Sequence, residues 1–223
     1  MTGLDPLQAV LWDMDGLLVD TEPTWTVAEV ELAARLGGTW SDELKAQVVG
    51  TRLEVAVPAI LRWYAAPEDP AHVARTSTWL LERMVELFAG PIQVQPGATA
   101  LLEELARHGV PVALVSSSYR VLVEAVLAHG IGPFDLTVAG DEVSRGKPHP
   151  EPYLTACARL GVEPRHCVVL EDSPAGVASG LAAGCAVVGV PSVAGVVLPT
   201  HPRLRAVTSL LDVDAHLLAG LVA

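Results

Sequence analysis

Five short apolar runs separated by helical patterns constrain the fold of this 223-residue chain more than any other feature. The runs cover residues 9–12, 112–115, 136–139, 167–170 and 186–190. Their apolar residues are continuous rather than alternating, which is typical of parallel strands buried on both faces. Apolar residues with helical spacing lie between the runs, as at Ala98, Leu101, Leu102 and Leu105, just before the second run. The pattern therefore predicts an α/β fold with a doubly wound parallel sheet.

The connection after the first run is much longer than the others. The next helix of the α/β pattern begins near Gly97, whereas a strand-to-helix loop usually has about 2–6 residues. Helical patterns fill this connection, and it holds four of the five tryptophans, Trp25, Trp40, Trp63 and Trp79. We predict a small all-helical domain with its own core over residues 17–90. It is inserted into an α/β domain formed by residues 1–16 and 91–223.

Composition excludes several classes of partner. The net charge of −12 argues against general binding of nucleic acid or of anionic membranes. Residues 173–202 carry no charge, but prolines and glycines divide them into pieces too short for a membrane helix. Residues 1–8 show no signal peptide, and the three cysteines lack metal-type spacing. We expect a cytoplasmic protein with reduced thiols.

Polar residues follow the predicted strands at their carboxyl ends. Asp13 and Asp15 follow the first run, three serines from Ser116 follow the second, and Lys147 lies in the loop after the third. Glu171 and Asp172 follow the fourth. Ligands of open parallel sheets bind beyond the carboxyl ends of the strands, so these side chains should meet at one edge.

Four carboxylates at one place repel one another unless a cation joins them. An all-oxygen ligand set suits Mg²⁺, which commonly bridges to a substrate phosphate. A lysine and a serine hydroxyl are phosphate-binding groups. One carboxylate can then attack phosphorus while a second acts as acid and base. The residues indicate phosphoryl-transfer chemistry assisted by Mg²⁺.

Four segments resemble, in the right order, the motifs of the haloacid dehalogenase superfamily of phosphatases. They are residues 12–22, which include Asp-Met-Asp-Gly, then Val115-Ser116, Gly146-Lys147-Pro148 and residues 170–173. The helical insert resembles the cap domain of the β-phosphoglucomutase-like subfamily. Gly50-Thr51-Arg52, with Trp63-Tyr64, resembles bacterial phosphatases of sugar phosphates such as 2-deoxyglucose 6-phosphate and hexitol phosphates.

The resemblance implies a Rossmann-like fold and specific roles. Asp13 attacks phosphorus to form an aspartyl-phosphate, while Asp15 protonates the leaving oxygen and then activates water. Ser116 and Lys147 hold the phosphoryl oxygens. The residues implied to ligate Mg²⁺ are Asp13, the backbone carbonyl of Asp15, and Asp172, with Glu171 close by or directly bound. Residues that could contact the substrate, a small sugar or polyol phosphate, are Thr21, Trp25, Arg52, Ser117 and Arg120. We expect the enzyme to act as a monomer.

Other activities of the superfamily remain alternatives. A β-phosphoglucomutase-type mutase would share every core motif, but residues 48–53 lack a lysine before Gly50 to hold a second phosphate. Dehalogenases and phosphonate-cleaving enzymes lack the second aspartate, which is present here as Asp15. A non-catalytic binding module for phosphorylated metabolites would be expected to have lost Asp13 or Asp15. Hydrolysis is therefore the favoured prediction.

Overall fold

The computed structural model describes residues 4–48, 51–192 and 196–223 of the chain. Its strands are β1 (Ala9–Trp12), β2 (Val19–Asp20), β3 (Gln93–Val94), β4 (Val112–Val115), β5 (Leu136–Val138), β6 (Cys167–Glu171), β7 (Ala186–Gly189) and β8 (Leu204–Ala206). Its α-helices are α1 (Glu22–Arg35), α2 (Asp42–Val48), α3 (Leu53–Trp63), α4 (Pro70–Phe88), α5 (Ala98–Arg107), α6 (Arg120–Leu127), α7 (Glu151–Leu160), α8 (Pro174–Ala182) and α9 (Ala215–Gly220).

Six strands form one parallel sheet in the order β5-β4-β1-β6-β7-β8. The central strand is β1, and Val10 lies opposite Val112 on one side and Val168 on the other. Each of the five apolar runs forms a strand of this sheet. The predicted doubly wound α/β fold is therefore confirmed.

Alternate residues of each central strand enter two different apolar layers. Val10 and Trp12 pack with buried residues of α5, α6 and α9, whereas Ala9 and Leu11 pack with buried residues of α7 and α8. Both layers exclude water from the strands, which explains why the apolar runs are continuous in sequence.

Helices α1–α4 lie between β2 and β3 and form the helical insert, called the cap below. The buried side chains of the cap, such as Leu32, Val57 and Met84, are continuous with the layer that covers one face of the sheet. The cap also contacts the α/β domain directly, since α4 packs against α6, and the separate core of the insert stays a prediction. The domain boundaries at residues 16–17 and 90–91 stay a prediction.

Two short strands connect the cap to the rest of the molecule. Strands β2 and β3 pair antiparallel, with Val19 opposite Val94. The Gln95 amide, just after β3, donates a hydrogen bond from Nε2 to the Gly16 carbonyl at 2.9 Å. These contacts hold the two segments that lead into and out of the cap beside the loop that follows β1.

The uncharged stretch 173–202 contains α8 and β7. In the described part of the chain, no helix combines the length and apolarity needed to cross a bilayer. Residues 193–195 of the stretch, including Gly195, lie outside the described residues. So do Val49 and Gly50, on which part of the comparison with mutases rests.

Candidate active site

The carboxyl ends of β1, β4 and β6 bring the predicted polar residues together. The Asp13 amide donates to the Leu170 carbonyl at 3.0 Å, which continues the pairing of β1 with β6 by one residue. The Ser116 amide likewise donates to Val138 at the end of β5. The backbone ladder thus fixes where each side chain leaves the sheet.

Lys147 joins two carboxylates of this edge. Its Nζ lies 2.6 Å from Asp13 Oδ1 and 2.6 Å from Glu171 Oε1, and it also donates to the Val115 carbonyl at 2.9 Å. The three side chains are only 4%, 9% and 0% exposed, respectively. An ammonium with three acceptors in a dry site is held in one position.

Glu171 is packed against the start of α8. Its Oε2 accepts hydrogen bonds from the amides of Asp172 and Ser173 and from the Ser173 hydroxyl, at 3.0–3.2 Å. The Ser173 hydroxyl also caps α8 by accepting from the Gly176 amide. A Cβ at residue 176 would lie 1.7 Å from Glu171 Oε1, so this helix turn requires glycine. The residues that follow Glu171 in sequence therefore fix the orientation of its carboxylate.

Asp15 lies among hydroxyl groups instead of cations. Its Oδ1 accepts from Thr21 at 2.8 Å, and its Oδ2 accepts from Ser116 at 3.1 Å and from Ser118 at 2.8 Å. The Ser116 hydroxyl in turn accepts from the Ser118 amide at 2.9 Å. A carboxyl group held by hydroxyls can exchange a proton without breaking an ion pair.

Asp13, Glu171 and Asp172 offer carboxylate oxygens that all lie within 4.8 Å of one another. Asp172 Oδ2 accepts from the Ser192 hydroxyl. Gly16, with φ of +89°, leaves room for this carboxylate, because a Cβ at residue 16 would lie 2.1 Å from Asp172 Oδ2. An oxygen-only cluster of this kind fits a hard cation such as Mg²⁺.

The electrostatics of the cluster also favour a cation. Burial raises the pKa of Asp13 well above its usual range; Lys147 opposes this shift, and the carboxylates of Glu171, Asp172 and Asp15 add to it. Burial, followed by repulsion from Glu171, raises the pKa of Asp172 to about 7. Burial alone would lower the pKa of Lys147, but Asp13 and Glu171 hold it above its usual value. One ammonium therefore faces more negative charge than it can neutralise.

Comparison with known proteins decides the family. Residues 7–184 match the family described as haloacid dehalogenase-like hydrolase. The chain belongs to this family. It is 38% identical over 187 residues to hexitol phosphatase A of Escherichia coli strain K12, covering 81% of each protein. The predicted superfamily is therefore confirmed, and the chain is an enzyme of the hydrolase class.

Two further proteins similar to this haloacid dehalogenase-like hydrolase are a longer bifunctional enzyme and a protein of solved structure. The chain is 34% identical over 215 residues to a bifunctional riboflavin kinase/FMN phosphatase of Arabidopsis thaliana, and it spans 54% of that protein and 92% of its own length. The crystal structure of CbbY from Rhodobacter sphaeroides, in complex with phosphate, superposes with a TM-score of 0.81 at 29% identity. The match covers 92% of this chain and 95% of that one.

The predicted substrate-contact residues occupy different environments in this hydrolase. Thr21 is buried and bonded to Asp15, and Trp25 packs against the apolar layer. Arg120 is bonded through its guanidinium to Glu142 and Thr137, so it is not brought to the Asp13 cluster. Ser117 is half-buried, with its backbone carbonyl close to Gly140.

Arg52 reaches from the cap to the loop that carries Lys147. A Cβ at Gly146 would lie 2.7 Å from Arg52 Cδ, and Arg52 Nη2 lies 3.3 Å from Glu54 Oε1. The buried Nε of Arg52 has no hydrogen-bond partner among the described residues. This donor is enclosed by protein atoms where the cap meets the Gly146 loop.

Four contact residues of the site were not selected from the sequence: Gln95, Ser118, Tyr153 and Ser192. Ser118 was visible as one of three serines after the second run. Tyr153 lies on the buried face of α7, and the reach of its hydroxyl to Glu171 has no signal in the sequence. Gln95 and Ser192 act through contacts distant in sequence.

Proposed function

We propose that this enzyme is a Mg²⁺-dependent phosphatase that hydrolyses small sugar or polyol phosphate monoesters through an aspartyl-phosphate. One observation carries the proposal: Lys147 bridges Asp13 and Glu171 in a buried cluster that retains excess negative charge. Asp15, with its separate set of hydroxyl partners, lies two residues from Asp13. The relatives support the same chemistry, since one is named a hexitol phosphatase and another was crystallised with phosphate.

Asp13, Asp172 and the backbone carbonyl of Asp15 would hold Mg²⁺. When bound, the ion neutralises charge on the phosphoryl group and on the carboxylates around it. Glu171 would lie beside this site, because both of its oxygens already accept hydrogen bonds from protein groups. Lys147 and Ser116 would contact the phosphoryl oxygens.

The two aspartates divide the reaction into two displacements. Asp13 forms a bond from its carboxylate oxygen to phosphorus while the ester P–O bond breaks, and protonated Asp15 gives its proton to the departing alkoxide. Asp15 then takes a proton from water as the water oxygen attacks phosphorus. The bond between Asp13 and phosphorus breaks, which releases inorganic phosphate and restores both side chains.

Arg52 supports a substrate with polar groups beyond the phosphate. It lies on the cap, its aliphatic part contacts the Gly146 loop, and its Nε lacks a partner among the described residues. The Arg52 side chain is 21% exposed, so the exposed part of its guanidinium can donate to a sugar or polyol hydroxyl. A hydrophobic ester would remove this part of the guanidinium from water without offering an acceptor, which disfavours such substrates.

The test measures phosphate release from a panel of hexose phosphates, hexitol phosphates and a simple aryl phosphate, with Mg²⁺ and after treatment with EDTA. We expect turnover of sugar and polyol phosphates that is lost with EDTA and restored by Mg²⁺. Asp13→Asn should reduce kcat by at least ~10⁴-fold. Asp20→Asn serves as the control, because it removes a nearby charge outside the cluster.

Two outcomes would contradict the proposal. Full activity after exhaustive removal of metal would exclude the role of Mg²⁺. Rapid conversion of β-glucose 1-phosphate to glucose 6-phosphate, with catalytic bisphosphate and negligible release of phosphate, would identify a mutase instead.

A further inference from the structure

Tyr153 lies beneath the active site and is fully buried. Its hydroxyl donates to Glu171 Oε1 at 2.8 Å, and Lys147 Nζ contacts the same oxygen at 2.6 Å. The Lys147 ammonium also lies 5.0 Å from the centroid of the Tyr153 ring. A single side chain therefore contacts both members of the Lys147–Glu171 ion pair.

The carboxylate of Glu171 has no solvent contact, and protein groups donate hydrogen bonds to both of its oxygens. Oε1 accepts hydrogen bonds from the Tyr153 hydroxyl and the Lys147 ammonium. Oε2 accepts hydrogen bonds from the amides of Asp172 and Ser173 and from the Ser173 hydroxyl. Because both oxygens are occupied, the orientation of the carboxylate depends on all of these donors. Tyr153 is the only one of these donors on α7, which packs beside α8 on the same face of the sheet.

We infer that Tyr153 is a positioning residue for phosphoryl transfer, acting through Glu171 to hold Lys147 against Asp13. The inference rests on the proposed function, in which Asp13 is the nucleophile and Lys147 holds phosphoryl oxygens. Without the hydroxyl, Glu171 Oε1 would keep only its ion pair, and the carboxylate could turn toward Lys147. The ammonium would then leave its contact with Asp13, whose distance is 2.6 Å.

Tyr153→Phe tests this role because it removes the hydroxyl and keeps the ring in the apolar layer. We expect kcat to fall by ~10-fold or more, as for other residues that orient a group in direct contact with a metal or substrate. KM for the best substrate should change by less than ~3-fold, because Tyr153 does not touch the substrate. Tyr64→Phe is the matched control, since its hydroxyl donates to the Thr39 carbonyl at the exposed surface of the cap.

A double-mutant cycle separates positioning from a purely structural role. In a Glu171→Gln background, Tyr153→Phe should reduce kcat by less than ~2-fold, since its route to Lys147 is already altered. Equal losses in both backgrounds, or an unchanged kcat for Tyr153→Phe, would overturn the inference. If Tyr153→Phe is poorly folded, Tyr153→Trp retains an aromatic ring and a donor at a different place, and it should lower kcat in the folded fraction.

Calorimetric titration with Mg²⁺ distinguishes failure of this inference from failure of the proposed function. Tyr153→Phe should weaken binding of Mg²⁺ several-fold, because Glu171 orients the Asp172 amide. This readout needs no turnover. An inactive wild-type enzyme with the expected binding difference would refute only the proposed function, whereas identical Mg²⁺ affinities would refute the role of Tyr153.

Discussion

Glu29 is a partly buried carboxyl group on α1, outside the Asp13 cluster. Its Oε2 has no hydrogen-bond partner among the described residues. Burial, followed by repulsion from Glu22, raises the pKa of Glu29 to about 7, and Lys45 opposes the shift. The folded-state pKa lies above the unfolded value, so the free energy of unfolding is highest below about pH 4.5, where Glu29 is protonated in both states. It falls as pH rises toward 7, because the unfolded state then loses its proton more readily than the folded state.

Glu29→Gln should therefore stabilise the protein at pH 8 and have little effect at pH 5. The gain at pH 8 should be about 1–2 kcal/mol, reduced from the full shift because the side chain retains some exposure. Urea unfolding of both proteins at the two pH values measures it. Glu43→Gln on the exposed face of α2 removes the same charge and should give no comparable gain. An equal gain from Glu29→Gln at pH 5 would contradict the assignment.

At the level of residues, the sequence predicted the charged groups of the site and missed their neutral partners. Asp13, Lys147 and Glu171 follow apolar runs, where a charged side chain is conspicuous. Tyr153 and Ser192 contribute single hydroxyls from residues whose sequence surroundings are ordinary for a helix and a loop. Such contacts depend on distances across the fold, which no local pattern encodes.

At the level of elements, a polar bridge joins the cap to the sheet domain. Tyr119, at the start of α6, donates to Glu54 Oε1 in the first turn of α3 at 2.7 Å. Burial, followed by the Glu54 carboxylate, raises the pKa of Tyr119 to about 12, so its hydroxyl stays a donor at neutral pH. Glu54 also contacts Arg52, which links the bridge to the proposed substrate contact.

Tyr119→Phe should raise KM by about 2–5-fold, the effect of losing one hydrogen bond worth ~0.5–1 kcal/mol at a partly exposed position. Arg52→Ala should raise KM more than it lowers kcat. The two changes should combine to less than the sum of their separate effects, because Glu54 connects the two side chains. Full additivity, or an unchanged KM for Tyr119→Phe, would show that the bridge does not affect substrate binding.

The long elements were predictable and the shortest were not. Strands β1, β4 and β6 each contain four apolar residues in a row, and α4 has nineteen residues with a clear apolar face. Strands β2 and β3 have two residues each, too few to show any period. Their pairing depends on the two ends of the cap meeting in space.

At the level of the whole molecule, Mg²⁺ should stabilise the fold. It would bind a cluster that the unfolded chain does not assemble. At about ten times its Kd, the ion adds ~1.4 kcal/mol, which corresponds to a rise in Tm of about 3–6 °C for a chain of this size. Thermal unfolding with Mg²⁺ and with EDTA measures the difference.

Asp172→Asn should abolish most of this rise while leaving the secondary structure unchanged. Asp212→Asn, in the segment before α9, controls for the general loss of one negative charge. An equal rise in Tm for Asp172→Asn would place the ion elsewhere on this acidic protein.

Alternate residues of β1 face two apolar layers, so a change of length is tolerated less well in this strand than in the cap. Deleting one residue from Ala9–Trp12 would exchange the residues that face the two layers and turn Asp13 away from Lys147. Four helices are nevertheless accommodated after Asp15, because β2 and β3 bring the ends of the insertion back together. A change in the length of the cap can therefore leave the sheet intact, whereas a one-residue insertion or deletion in the first strand would disrupt both apolar layers and the site.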